Sequence, residues 1–356
     1  MKKIVYMEWV KQKKSAKYEI GGSGVVPVHI AELPEARAAL DINDFNLYGY
    51  RPLVSAIAAR YKLKPEEVVT TQGCSMANYL ACAVVLKRGD EVLVESPAYE
   101  PLLAVPKLLG ARIHRFKRRF KDGYKLDPDE IASRMTKKTR LIILSNMHNP
   151  SGVLTSNDVL AESGRIARKN KAYVLVDEVY LDFLFENRPA SCVTLGDNFL
   201  ATASLTKAYG FDGLRCGWVF ASPKLAEEVW RLQDFYGVNG TIPAEKTATV
   251  AFEYLPRFVE RTRAIISANR DLIDVFMAKH EDQLAWVPPD GGPVCFPRLR
   301  KEKSAGKFID DLLAQYNTRV IPGSFFESPA HFRLGFGGNT KTLQAGLKNL
   351  AATLKP

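Results

Sequence analysis

Five short apolar runs constrain what this chain can fold into. EVLVE (91–95), LIILS (141–145), YVLVD (173–177), LATAS (200–204) and WVFA (218–221) are almost unbroken in apolar character. A strand with one wet face alternates apolar and polar residues, whereas a strand covered on both faces does not. The runs therefore predict buried strands of a parallel sheet. Helical spacing fills the gaps between them. Met76, Ala77, Leu80, Ala83, Val84 and Leu86 recur on one helical face, and Gly89 ends that helix. Further helices are predicted over 155–170 and after Pro223. This alternation predicts an α/β sandwich of the doubly wound kind, a mostly parallel central sheet between helices.

Beyond the runs, 256–281 is a long amphipathic pattern that can bridge two domains. FIDDLLAQY (308–316) and LQAGLKNLAATL (343–354) read as helices, and TRVIPG (318–323) and HFRLGFG (331–337) as strands with turns. The first 45 residues read as irregular and are rich in Gly and Pro. A length of 356 residues suits two domains. The expected division is a large domain at 45–262 and a smaller, discontinuous α/β domain at 1–44 and 263–356.

Composition excludes several classes. Hydrophobic content of 46% and charged content of 25% are those of an ordinary globular protein. The net charge of +11 raises nucleic acid as a partner, but no nucleic-acid motif accompanies it. The densest basic run, RIHRFKRRFK (112–121), alternates like an exposed strand or hairpin and reads as a solvated basic face. Cys74, Cys82, Cys192, Cys216 and Cys295 form no CxxC pair, and the five histidines form no ligand pair, so no metal site is expected. Scattered cysteines favour a reducing cytoplasm. The start, MKKIVYMEWVKQKK, is broken by Glu8 and reads as neither signal peptide nor membrane span.

The chemistry concentrates in SLTKAYGFDGLRCGW (204–218). Lys207 follows the hydroxyl residues Ser204 and Thr206, and Arg215 comes eight residues later in a Gly-flanked turn. An amine beside hydroxyls and a guanidinium suits a phosphate ester that carries an aldehyde, which points to pyridoxal 5'-phosphate (PLP). The same residues also suit a surface loop after a buried strand. Four further motifs fall at predicted strand ends, where ligands bind in such sheets. In TTQGCSMAN, Gly73, Cys74 and Ser75 open a helix whose free amides can hold a phosphate, or Ser75 simply caps it. SPAYE offers Tyr99 for stacking on a pyridine ring, or as a core aromatic. HNPSG projects Asn149 toward a ring oxygen, or makes an ordinary turn. VLVDEVY ends a strand on Asp177, three residues before Tyr180. A carboxylate there needs a partner, and a protonated pyridine nitrogen is one. A magnesium-binding carboxylate would require a P-loop, which the chain lacks. HFRLGFGG places Arg333 in an apolar strand, to meet a substrate carboxylate or a structural one.

In this order and spacing, with GYRPLVSAIAARY (49–61) ahead of them, the motifs resemble those of fold-type I PLP-dependent enzymes of the class I/II aminotransferase family. The resemblance runs from about Gly49 to Gly335. It implies a PLP cofactor, with Lys207 as Schiff-base lysine and general base. It implies Asp177 at the pyridine nitrogen, Asn149 and Tyr180 at the ring oxygen, and Tyr99 on the ring face. Gly73, Cys74, Ser75, Ser204 and Arg215 would surround the phosphate. Arg333, Asn149 and Gly22, the last in the GGSG segment (21–24), would meet the substrate. It further implies a homodimer acting on an amino acid and a 2-oxo acid. The sequence departs from the family's pattern at Tyr48, directly before Gly49, and at Met147-His148, where a proline is common. Arg298 is a candidate for selecting an acidic substrate, or a surface arginine. A lyase or an amino-acid cyclase of the same fold uses the same residues. A PLP-binding regulator would need a DNA-binding module that the first 45 residues leave no room for.

Overall fold

Seven strands form the central sheet of the computed structural model, which describes residues 3–12 and 15–354. The strands are β1 (Val68–Gln72), β2 (Glu91–Ser96), β3 (Arg112–Lys117), β4 (Thr139–Ser145), β5 (Tyr173–Asp177), β6 (Phe199–Ser204) and β7 (Cys216–Phe220). Their order is β1-β7-β6-β5-β4-β2-β3. Only β7 runs antiparallel to its neighbours. The sheet is therefore mostly parallel, as the apolar runs predict, but the WVFA run is its exception. The connection from β6 to β7, residues 205–215, is too short for a crossover. It turns back at the end where β6 finishes.

The apolar runs are continuous because both faces are covered. In β4, Ile142 and Leu144 join one hydrophobic cluster, while Leu141 and Ile143 join another on the opposite face. Successive strand residues point to opposite faces, so one run feeds two cores. Helix α2 (Gly73–Val85) packs against β6 and β7.

The first 45 residues are less irregular than expected. Val5–Gln12 is a helix, α1. Tyr18–Glu19 pairs in parallel with Thr318–Arg319, and the Gly335 amide donates to the Ile20 carbonyl. The N-terminal segment thus lies along the C-terminal part. Phe332–Gly335 is the middle strand of a three-stranded antiparallel sheet, between Val294–Cys295 and Ile321–Pro322. The amphipathic pattern at 256–281 is one long helix, Leu255–Lys279. Residues 1, 2, 13, 14, 355 and 356, which fall within the expected smaller domain, lie outside the described residues.

The basic run at 112–121 is only partly solvated. β3 is an edge strand paired with β2 alone, and its basic side chains are mostly exposed. Arg118, just after it, is fully buried. Its Nη1 donates to Glu95 Oε2 at 3.0 Å, its Nε to the Tyr124 carbonyl at 2.7 Å and its Nη2 to Thr155 Oγ1 at 3.2 Å. The other oxygen of Glu95 accepts from the backbone N and the Oγ of Ser145, at 2.7 and 2.6 Å. Burial pushes the Glu95 carboxyl up, and the adjacent Arg118 guanidinium opposes that shift. An edge-strand pattern carries no sign of this pair, because the reason Arg118 turns inward is a carboxylate on the neighbouring strand. Truncating one partner leaves a buried charge without a counter-ion. Glu95→Ala is expected to cost about 3–5 kcal/mol of stability, read as a lowered urea midpoint with an unchanged far-UV spectrum at zero denaturant.

Candidate active site

The strand ends and the loop after β6 converge on one cavity of about 570 Å³. Its lining includes Tyr6, Gly22, Cys74, Ser75, Tyr99, Asn149, Asp177, Tyr180, Ser204, Lys207, Arg215 and Arg333. Every residue that the family resemblance places at the cofactor or the substrate lies there except Gly73, which adjoins it. Lys207 is delivered by the loop between β6 and β7 and points inward rather than over the surface. Its Nζ donates to Ser23 Oγ at 3.2 Å. Burial, and then the positive charge of Arg333, bring its pKa down to about 8 from 10.5.

Asp177 closes β5 and is buried. It accepts from Asn78 Nδ2 at 2.9 Å, the Val179 amide at 3.1 Å and Cys74 Sγ at 3.5 Å. Burial raises its pKa, and those donors oppose the rise. Among the described residues no cation lies within ion-pair distance of it. Asn78 is itself fixed, since Thr202 Oγ1 donates to its Oδ1 at 2.7 Å. The sequence reading missed Asn78, although its spacing of four from Cys74 puts both on one face of α2.

Arg333 lies across the cavity and is fully buried. Nη1 donates to Asn149 Oδ1 at 3.1 Å, and Nη2 to Tyr6 Oη and the Gly21 carbonyl, each at 3.1 Å. Among the described residues its Nε has no hydrogen-bond partner. No carboxylate pairs with it among the described residues, so the structural salt bridge is not what holds it. Asn149 Nδ2 donates to Tyr180 Oη at 3.3 Å, and burial pushes the Tyr180 hydroxyl up to about 12. Tyr99 starts a helix from the end of the loop after β2, with its ring against Tyr6 and its hydroxyl toward Met7 Sδ.

A phosphate-sized cradle opens at the start of α2. Gly73 has φ +78°, and a Cβ there would lie 2.2 Å from Arg215 Nη2. Only glycine admits both that conformation and that guanidinium. A Cβ on Gly217 would meet the Gly73–Cys74 backbone at 2.5–2.7 Å, so β7 and this turn pack backbone to backbone. Thr206 Oγ1 is buried without a hydrogen-bond partner among the described residues. Free helix-start amides, two hydroxyls and a guanidinium fit a phosphate. Cys74 adds its thiol to Asp177, beyond the backbone role expected of it.

Other candidates fall outside. His148 is fully buried as a turn filler, with Nε2 toward the Pro97 carbonyl and Nδ1 toward Ser151 Oγ. Burial drives its pKa well down, so it stays neutral. Arg298 packs over the Phe120 ring and does not line the cavity. Tyr48 stacks its edge near Trp230, also outside it. Gly21 and Ser23 belong to the GGSG segment expected at the substrate, whereas Tyr6 was not foreseen, because only tertiary packing brings the N-terminal helix to Arg333.

The profile of the family described as Aminotransferase class I and II matches residues 16–350. The chain belongs to that family. It is a PLP-dependent enzyme of the aminotransferase class, and the cavity residues fit that cofactor: a buried carboxylate without a cation among the described residues, a buried lysine and a cradle sized for a phosphate. The chain is similar to capreomycidine synthase of Streptomyces vinaceus, 29% identical, with 98% of this chain and 92% of the relative aligned. Among solved structures it resembles a PLP-dependent aminotransferase from Streptococcus suis, with a TM-score of 0.93 and 26% identity over 99% of this chain and 97% of that one. It also resembles the PLP-dependent cyclase OrfR, with a TM-score of 0.90 and 28% identity over 99% and 97%.

A depressed lysine pKa has two consequences. Acetic anhydride should modify Lys207 of the apoprotein with a pH midpoint of about 8 rather than 10.5, followed by peptide mass spectrometry. The unfolded chain keeps this proton to higher pH, so the apoprotein should also gain stability between those two values.

Proposed function

We propose that the protein is an aminotransferase that moves an amino group between an amino acid and a 2-oxo acid. The observation that carries the reading is a pair of buried charges, Arg333 and Asp177, in the cavity that holds Lys207. Among the described residues Arg333 has no carboxylate and Asp177 has no cation, so each is suited to a ligand. When bound, PLP supplies an aldehyde that accepts the amine and a ring that accepts the electron pair left at Cα. Asp177 would hold the proton on the ring nitrogen, with Asn78 and the Val179 amide fixing the carboxylate. Asn149 and Tyr180 would hold the ring oxygen, and Tyr99 would cover one face of the ring. Ser75, Ser204, Thr206 and Arg215 would hold the phosphate. Arg333 orients the substrate by its α-carboxylate. Lys207, poised near neutral pH, removes the proton from Cα.

The same groups serve cyclisation, and the likeness to the PLP-dependent cyclase OrfR favours that as the second reading. The readings differ in one requirement: transamination needs a 2-oxo acid acceptor. The purified holoenzyme should convert at least one standard L-amino acid to its 2-oxo acid, only when an acceptor such as pyruvate is present. Lys207→Ala should fold, lose the lysine-bound absorbance band and lose this activity. Turnover without any acceptor would favour the cyclase or lyase reading.

The same proposal includes the division into domains at 45–262 and 1–44 with 263–356, a cytoplasmic location and a homodimer. Among the described residues no helix is long and apolar enough to cross a membrane. The dimer rests on an exposed apolar patch. Ile42, Phe45 and Phe235 are 80–85% exposed, with Leu47, Tyr48 and Val238 beside them. Asn46 ties the two segments together by donating to the Gly240 carbonyl at 2.9 Å. Gly240 and Arg215 share one surface cleft, so the patch continues to the rim of the site. A second copy of the chain suits such a surface. Light scattering after size exclusion should give twice the chain mass, and Phe45→Asp should shift it toward the monomer.

A further inference from the structure

We propose that Tyr6, on the N-terminal helix α1, binds the substrate by donating a hydrogen bond from its hydroxyl to the α-carboxylate held by Arg333. The inference rests on the reading of Arg333 as the carboxylate-binding residue. It assigns a substrate contact to a segment ahead of the residues that match the family profile.

Three observations carry it. Tyr6 lines the cavity, and its oxygen lies 3.1 Å from Arg333 Nη2, from which it accepts. A phenol has one proton to donate as well as lone pairs to accept with. Among the described residues that proton meets no protein acceptor. An anion drawn to Arg333 arrives beside it. The ring is also held in place. It is 7% exposed and packs edge-on against Tyr99 and Phe325, with centroids at 5.8 and 5.4 Å. Finally, α1 is fixed at its first turn. The Glu100 carboxylate accepts from the Val5 amide at 3.0 Å and the Tyr6 amide at 2.6 Å. A negative charge at a helix start is favourable for the helix dipole as well as for the free amides. Glu100 follows Tyr99 directly, so the helix that Tyr99 starts also sets the position of Tyr6.

The test separates hydroxyl from ring. Tyr6→Phe keeps the aromatic packing and removes one donor to a charged group. Wild-type and Y6F holoenzymes are titrated with each standard L-amino acid, following the cofactor absorbance for Kd, and steady-state KM and kcat are measured for those that respond. Y6F should bind about tenfold more weakly or worse, with KM raised in parallel. Its kcat should stay within about twofold and its affinity for PLP should not change. A role in packing alone would leave Kd and KM where they were, and that result overturns the inference. Should Y6F fail to fold, Glu100→Ala decides, since releasing the first turn of α1 must weaken amino-acid binding. A wild-type Kd in E100A is equally fatal. A wild-type enzyme that responds to no amino acid would instead defeat the proposed function, and this inference with it.

Discussion

Parallel strands that share crossovers finish at one edge of their sheet, and everything chemical in this molecule depends on that edge. β2, β4, β5 and β6 end beside one another. The segments that leave them carry Tyr99, Asn149, Asp177 with Tyr180, and Lys207. β1 ends at the same edge and opens into α2, whose first turn faces Arg215. β7 runs the other way, and for that reason the loop feeding it starts and finishes at this edge. Lys207 and Arg215, separated by that loop, therefore stand in one cavity.

Buried charge is used in two ways around this edge. Arg118 and Glu95 form a closed pair whose remaining atoms are largely satisfied by Ser145, Thr155 and the Tyr124 carbonyl. The pair ties β2 to the end of β4. Ser145 Oγ, which donates to Glu95, accepts from the Asn149 amide at 2.9 Å. The closed pair thus reaches the site through Asn149. Arg333 and Asp177 are the opposite case. Each is buried among neutral hydrogen-bond partners, and neither has a counter-ion among the described residues. Leaving such charges open is costly in the absence of ligand, so an anion at Arg333 and a cation at Asp177 would each be favoured.

Much of the site was legible because its motifs are local. DEVY puts Asp177 at a strand end and Tyr180 in the turn that follows. SLTKAYGFDGLRCGW contains the lysine, two hydroxyls and the arginine of one loop. What was not legible came from elsewhere in the chain. Asn78 had a usable signal in its spacing from Cys74. Tyr6 had none, because α1 reaches Arg333 only through Glu100 and the pairing of 18–20 with 317–319 and 335. Arg118 was hidden in a run of exposed basic residues, and its burial follows from a carboxylate on another strand. His148 and Arg298 showed the reverse: polar residues near motifs that tertiary packing turned away from the cavity.

The sequence by itself determined the sheet, its two-sided burial and the identity of the groups at its carboxyl edge. Those properties are written in contiguous residues, as apolar runs, turn chemistry and short motifs with a physical period. Only the tertiary structure decided which charges are closed and which are open, and how the N-terminal segment joins the site. A counter-ion is defined by distance through space, and the residues that satisfy or abandon Arg118, Asp177 and Arg333 lie far from them along the chain.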